Sequence, residues 1–294
     1  MKQESSQVYS KTEGDFISIV ITTYNRSDAL IAVLQGLEWQ ADRAFEVIVA
    51  DDGSRPEHVQ AIHEYAQASA LSIRHIWHPD VGFTAAQVRN MGVSQAKGNY
   101  IVLLDGDCVP ERDFVTQHRR LRARGCFVNG SRVLLTAVAS QDLMRHARRW
   151  LGQGIWFWMV QRWYKHSNKW LPLLRLPDGA YRVQGTFRWK GIRSCNMGVW
   201  RDDYWSVNGF DETFVGWGHE DADFVLRLHN AGLQRKNGFA ATEVYHLWHQ
   251  EAQRDHENHN AQKVHERSRT GLVQAELGLH QATGYDQMRL TSWR

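Results

Sequence analysis

Asn99-Tyr-Ile-Val-Leu-Leu-Asp-Gly-Asp-Cys108 is the stretch on which the reading of this chain turns, because an apolar run leads straight into two aspartates separated by one glycine. A buried strand that ends in Asp105-Gly106-Asp107 sets two carboxylates at its carboxyl end, where open α/β sheets keep their ligands. Such a pair suits a divalent cation bound to a nucleotide diphosphate. Magnesium and manganese prefer oxygen ligands and commonly take one or two carboxylates plus phosphate oxygens. A strand followed by a plain Asp-Gly turn has the same letters and needs no metal. The flanking segments therefore have to decide.

Upstream, Phe16-Ile-Ser-Ile-Val-Ile21 is rich in β-branched residues and shows no helical period, so a fully buried strand is expected there. It stops at Thr22-Thr-Tyr-Asn-Arg26, and Ser27-Asp28 is placed to cap a helix through Ala29-Leu-Ile-Ala-Val-Leu34. Phe45-Glu-Val-Ile-Val-Ala50 is a second such strand, ending in Asp51-Asp-Gly-Ser54. Strand, polar loop, helix and strand form the rhythm of a right-handed βαβ unit, whose loops line up along one edge of a parallel sheet. The three polar loops are thus expected to converge. An acid just past the second strand is placed to accept hydrogen bonds from a base or ribose. Farther on, Thr84 is placed to cap a short helix that presents Arg89 and Asn90.

Ile21-Thr-Thr-Tyr-Asn25, Asp51-Asp-Gly-Ser54, Arg89-Asn90 ahead of Gly92, and Leu104-Asp-Gly-Asp107 follow the order found in family 2 glycosyltransferases of the GT-A fold, which the chain resembles. Asn208-Gly-Phe-Asp-Glu212 followed by Gly216-Trp-Gly-His-Glu-Asp-Ala-Asp223 is similar to the carboxyl-terminal half of galactosyltransferase and N-acetylgalactosaminyltransferase domains. No single motif is diagnostic, whereas five in the right order are specific. The resemblance covers roughly residues 16–250 and implies an α/β fold with a mixed, mainly parallel sheet flanked by helices.

The resemblance also implies roles. The donor, a nucleotide-diphosphate sugar with uridine diphosphate favoured over thymidine or guanosine diphosphate, would sit over Thr22, Tyr24, Asn25, Asp52, Arg89 and Asp105. Mn2+ or Mg2+ would be held by Asp107. An inverting transfer needs one base to take the acceptor hydroxyl proton, and by resemblance that base is Asp221, with Glu220 on the sugar hydroxyls. Acids in a first helical turn are also favoured by the helix dipole alone. Trp217, Gly218 and His219 would meet substrate, although a buried structural tryptophan would read the same way. In Val244-Tyr-His-Leu-Trp-His249, strand alternation puts His246 and Trp248 on one side and turns His249 away, so His246 is the favoured second metal ligand. Arg89 either meets a phosphate with a forked pair of donors or pairs with a carboxylate.

Composition agrees with a globular enzyme: 294 residues, 43% hydrophobic, 23% charged and a net charge of +3, too small to argue for nucleic acid. Cys108, Cys126 and Cys195 show no paired spacing, which favours a reducing compartment. Met1 to Glu13 has no apolar core, so no signal peptide is visible, and no run reaches the ~20 apolar residues of a membrane span. A cytoplasmic location is expected, with contact at the inner membrane face. The expected organisation is a polar extension (1–15), a nucleotide-binding half (16–107), an acceptor half (108–250) with a Trp-rich insertion (145–200), and a helical tail (251–294) with helix over Val264 to Leu279. In the insertion, Trp156, Trp158, Trp163, Trp170 and Trp189 interleave with Arg148, Arg149, Arg162 and Lys165. That pattern suits a membrane interface, an acceptor site for a glycan or lipid-linked acceptor, or a buried helix pair.

Two rivals remain on the sequence. A nucleotidyltransferase also uses acids and a metal at strand ends, but it normally carries a glycine-rich loop after its first strand, and Thr22-Thr-Tyr-Asn25 has no glycine. A non-catalytic binding module is the other rival, either a sugar-binding protein on a degenerate transferase scaffold or a peripheral nucleic-acid binder, the latter invited by the basic run Arg119-Arg-Leu-Arg-Ala-Arg124. Intact acids at all three centres argue against a degenerate scaffold.

Overall fold

The apolar runs pair side by side: β1 (Ile17–Thr23), β2 (Phe45–Asp51), β3 (Ile73–Trp77) and β4 (Tyr100–Asp105) are parallel, with β1 between β2 and β4. The helices α1 (Ser27–Glu38), α2 (Pro56–Ala68) and α3 (Ala85–Ser94) make the crossovers. A computed structural model describes residues 16–169, 174–187, 191–250, 257–282 and 284–293. Trp170, Trp189 and the extension 1–15 lie outside the described residues.

Period-2 alternation divides each strand between two cores. Ile17, Ile19 and Ile21 of β1, with Val47 and Val49 of β2, face α1. Val20, Ile48 and Ala50 face the other way, toward Val88 and Met91 of α3. Every one of these side chains is essentially inaccessible to solvent, and each such burial contributes about 1.5–3 kcal/mol for a branched aliphatic. Sequence runs without polar alternation are what a sheet covered on both faces requires.

The second half extends this sheet with antiparallel and parallel strands. β9 (Asn196–Trp200) runs antiparallel to β4, and β6 (Cys126–Asn129), β10 (Gln234–Asn237) and β8 (Val183–Gln184) follow it outward. At the opposite edge β12 (Arg289–Trp293) pairs antiparallel with β3. Among the described residues, a separate three-stranded sheet carries β11 (Glu243–His246) between β5 (Cys108–Pro110) and β7 (Ser131–Leu134). Because β5 starts one residue after Asp107, this small sheet brings His246 opposite Cys108 in register.

Several expectations are corrected. Ser27 does not cap α1; its hydroxyl lies 2.9 Å from His58 Nδ1. Thr84 precedes α3, but its hydroxyl donates to Asp52 rather than back to its own helix. The tail helix is α10 (Glu257–Arg267), not Val264 to Leu279: Gly271 turns the chain at φ +66°, and the tail ends as a strand. Arg267 fixes α10 to the body, 2.8 Å from both Asp211 and Asp223.

In the Trp-rich insertion, α5 (Ala137–Arg145), α6 (Ala147–Trp150) and α7 (Ile155–Trp163) form a small helical cover. Trp158 is fully buried and stacks on Tyr245 with ring centroids 4.4 Å apart, so it is core and not surface. Trp156 and Trp163, at 75% and 84% exposure, face solvent. The basic run is partly absorbed by the fold: Arg119 pairs with Asp42, and the Arg124 guanidinium sits 3.9 Å over the Trp200 ring.

Candidate active site

The carboxyl ends of β1, β2 and β4 converge as the loop pattern requires. The Gly106 amide donates to the Thr22 carbonyl at 2.8 Å, and the Asp52 amide to the Thr23 carbonyl at 2.9 Å. A β-carbon on Gly106 would stand 2.7 Å from that Thr22 oxygen, so only glycine allows the approach. The Thr22 hydroxyl donates to Asp105 Oδ1 at 3.1 Å. Asp52 is buried and oriented by His78 Nε2 at 3.0 Å and the Thr84 amide at 3.0 Å. Burial opposes charge on His78, but Asp52 outweighs it and the His78 pKa is raised. Asn25 takes a left-handed φ of 51°, accepts from the Arg55 amide at 2.9 Å and donates its own amide to Ser54 Oγ at 2.8 Å. Tyr24 stands at the rim, half exposed, its hydroxyl donating to Asp80 at 2.8 Å.

Arg89 does not point a free fork at a phosphate. Its guanidinium is buried and spans two acids, Asp105 Oδ1 at 3.2 Å and Glu220 Oε1 at 3.1 Å. Burial works against its charge, while Asp105 and Glu220 hold the proton on and raise its pKa. This cation therefore ties the Asp105-Gly106-Asp107 loop to the second acidic loop.

That second loop is built on left-handed backbone: Gly216, Gly218 and His219 have φ of 79°, 100° and 68°. His219 opens α9 (Glu220–Asn230), whose first turn carries Glu220 and Asp221. Asn260 of α10 holds the loop by donating to the Gly218 carbonyl at 3.0 Å. Asp221 is pushed up to about 7, chiefly by desolvation and then by the neighbouring Glu220 charge, against the lowering effects of Arg89 and the Ser194 amide. A carboxyl poised near neutrality suits proton transfer at physiological pH. Trp217 and Gly218 lie partly exposed in the same loop.

At the third centre the regular strand ends at His246, and the chain then curls: the Leu247 amide donates to the Asp107 carbonyl at 2.8 Å. Alternation stops there, so His249 is not turned away. Its Nε2 lies 3.2 Å from Asp107 Oδ2, with His246 Nε2 at 3.8 Å from the same oxygen. Burial first, and the Arg132 charge, lower the His246 pKa against the opposing Asp107 carboxylate, which favours the neutral imidazole. Asp107, Cys108 and His246 place potential ligand atoms within 4.8 Å of one another. Burial keeps the Cys108 thiol well above its ordinary pKa, so it stays protonated and is a poor ligand. One carboxylate and two imidazoles remain, a mixed oxygen and nitrogen set that fits manganese.

A family model described as glycosyl transferase family 2 matches residues 18–134, and one described as the N-terminal domain of galactosyltransferase matches residues 177–250. Residues 18–134 are thus similar to glycosyltransferase family 2, and residues 177–250 to the galactosyltransferase domain. It is 28% identical over 249 residues to a chondroitin synthase of Escherichia coli, covering 81% of this chain and 35% of that protein. A validoxylamine A glucosyltransferase of Streptomyces hygroscopicus subsp. limoneus is 28% identical over 74% of this chain and 48% of its own length. The chain thus spans about a third to a half of these relatives. In structure it is similar to Staphylococcus aureus TarS, with TM-score 0.58 and 14% identity over 91% of this chain and 41% of TarS. The mannosyltransferase PcManGT of Pyrobaculum calidifontis, solved with GDP-Man and Mn2+, gives TM-score 0.52 and 15% identity over 92% of this chain and 74% of its own. These likenesses show the GT-A fold.

Part of the scaffold around these acids is not apparent from the sequence motifs. Asn90 is buried and accepts from Tyr204 and the Phe210 amide at 2.8 and 2.9 Å, while donating to the Phe210 carbonyl and Glu212 at 2.8 Å each. It therefore anchors Asn208-Gly-Phe-Asp-Glu212, the motif that precedes the acidic loop. The adjacency of Arg89 and Asn90 was a usable signal: one residue spans the two acids while the next fixes the motif. Ser194, whose amide reaches Asp221, and Arg267, which clamps Asp211 and Asp223, carried no local pattern.

Proposed function

We propose that this chain transfers a hexose or N-acetylhexosamine, with inversion, from a uridine-diphosphate sugar to a sugar hydroxyl of a glycan or lipid-linked acceptor. The observation that carries the reading is the Arg89 bridge, which joins Asp105 at the donor end to Glu220, the neighbour of Asp221. Thr22, Tyr24, Asn25 and Asp52 orient the nucleoside. Asp105, fixed by Thr22 and Arg89, sits beneath the ribose and diphosphate. Asp221 accepts the proton of the attacking hydroxyl, and Glu220, Trp217, Gly218 and His219 align the sugars. A divalent cation, Mn2+ or Mg2+, held by Asp107 with His246 and His249, would neutralise the charge of the departing diphosphate.

A chondroitin synthase is among the relatives named above, and a TarS structure was solved with UDP, whereas PcManGT was solved with GDP-Man. Thermal unfolding with uridine, thymidine and guanosine diphosphate sugars, each with and without MnCl2, tests the donor. A ligand at about 100 times its Kd stabilises by about 2.7 kcal/mol. The uridine compounds should raise Tm most, and only with metal. No shift with any of them would refute the donor assignment.

A membrane-facing role is supported by α7, where Trp156, Met159, Val160 and Trp163 form one exposed stripe at helical spacing beside exposed Arg162 and Lys165. The opposite face of α7 stacks Trp158 on Tyr245, the residue before His246. A lipid surface under this stripe would bring a lipid-linked acceptor close to the metal centre. Among the described residues, no helix is long and apolar enough to cross a membrane.

A further inference from the structure

Next to the candidate active site lies a cavity of about 280 Å3 whose described lining carries four cationic side chains, Arg132, Lys169, Arg193 and Arg235, and no acid. They come from four separate segments: β7, the chain after α7, the approach to β9, and β10. Their proximity is thus a product of the tertiary fold rather than of a basic run. Like charges held together in a partly desolvated site repel, and the lining offers few counter-charges. Arg132 Nε is buried without a hydrogen-bond partner, and Lys169 Nζ donates to the Arg132 carbonyl at 3.2 Å. Burial, Arg193 and Arg132 lower the Lys169 pKa, opposed by Glu243, which itself pairs with Arg175 at 3.4 Å.

The cavity is one residue removed from the chemistry. Cys195 lines it, and the Cys195 carbonyl accepts the Asp105 amide at 3.3 Å. Its neighbour Ser194 offers its amide to Asp221. Arg132 Nη1 lies 3.9 Å from Cys195 Sγ. Guanidinium forks and an ammonium around a polar cavity match the oxygens of a carboxylate or phosphate. Arg132 also faces His246, so the cavity lies between the metal centre and the Ser194 amide that reaches Asp221.

We propose that this cavity is an acceptor subsite for an anionic group, a hexuronate carboxylate or a phosphodiester, carried next to the sugar that receives the transferred residue. The inference rests on the transferase reading for the word acceptor, and on the cavity alone for the anion. Both parts are testable separately by equilibrium binding in the presence of uridine diphosphate and MnCl2. The probes are a hexuronate-containing oligosaccharide, a glycerol-phosphate oligomer and a neutral oligosaccharide of equal length.

One anionic probe should bind about tenfold or more tighter than the neutral one, and which of the two does so identifies the group. The Lys169→Gln/Arg193→Gln double variant should lose about tenfold or more of that binding, with unchanged uridine diphosphate affinity. Arg193→Gln alone, at an exposed position, should lose part of it with an unchanged Tm. Equal binding of all three probes, or an undiminished anionic preference in the folded variants, would overturn the inference. A fall in uridine diphosphate affinity at unchanged Tm would also overturn it, by giving the cavity to the donor. Charge-dependent probe binding without any nucleotide-sugar turnover would instead keep the anion site and refute the proposed function.

Discussion

His249 Nε2 lies nearer to Asp107 Oδ2 than His246 Nε2 does, 3.2 against 3.8 Å, although His249 stands three residues beyond the strand that ends at His246. The two imidazoles converge on one carboxylate because the chain leaves the strand and folds back over the Asp107 carbonyl.

Under the proposed function, both histidines are expected to contribute to metal-dependent nucleotide binding. His246→Ala and His249→Ala should each weaken uridine diphosphate affinity by about tenfold, a cost of about 1.4 kcal/mol, in the presence of MnCl2. Asp107→Ala should remove the metal dependence entirely. Calorimetric titration with and without MnCl2 checks all three, and an unchanged His249→Ala variant would return the second ligand to His246 alone.

Asp221 makes a pH prediction. If Asp221 is the base, as proposed, its carboxyl, pushed up to about 7 by burial, gains charge as pH rises through neutrality, so transfer should rise through about pH 7 on its acidic limb. The stability sign is the reverse. A carboxyl whose folded pKa is raised above its ordinary value binds more protons when folded, so the wild type loses stability as pH climbs from about 4 to about 7. Asp221→Asn should reduce that loss, leaving the part that Glu243 contributes, while lowering transfer by roughly 100-fold or more, the scale of a missing general base. Denaturation at pH 5 and pH 8 separates the two effects; a variant equally pH-sensitive would place the buried proton elsewhere.

Arg89 joins two loops that are far apart in sequence. Arg89→Met leaves Asp105 and Glu220 without their cation, and removing one partner of a buried pair costs about 3–5 kcal/mol. Arg89→Lys should recover part of the stability but less of the transfer rate, since an ammonium cannot fork across two carboxylates. Urea unfolding alongside turnover reads this, and equal loss of both quantities in Arg89→Lys would make the bridge purely structural.

Much of this was legible in the chain. The parallel strands were readable because β-branched runs without polar alternation require burial on both faces, and the loops then had to converge. Trp158 and His249 were not. From sequence, Trp158 is one of several tryptophans among cations, and only the packing of Tyr245 beneath α7 makes it core. His249 was misplaced because period-2 reasoning assumes that the strand continues, whereas the hydrogen bond from Leu247 to Asp107 ends it. The cationic cavity was invisible for the same kind of reason, its members being supplied by four distant segments.

The corrected tryptophans yield a discriminating pair of variants. Trp158→Ala should destabilise the fold by about 3–5 kcal/mol and weaken metal binding with it. Trp156→Ser/Trp163→Ser should leave Tm and donor turnover intact while reducing sedimentation with vesicles containing acidic lipid. Full vesicle binding by that folded variant would remove the membrane role from α7.

The central claim is an inverting sugar transfer with Asp221 as base, and it is tested most directly by the anomeric configuration of the product. Incubation with uridine-diphosphate sugars, an acceptor oligosaccharide and MnCl2, followed by proton NMR of the new linkage, should give the configuration opposite to the donor's, and the product should nearly vanish in Asp221→Asn. A product that retains the donor configuration, or undiminished transfer by Asp221→Asn, would contradict it.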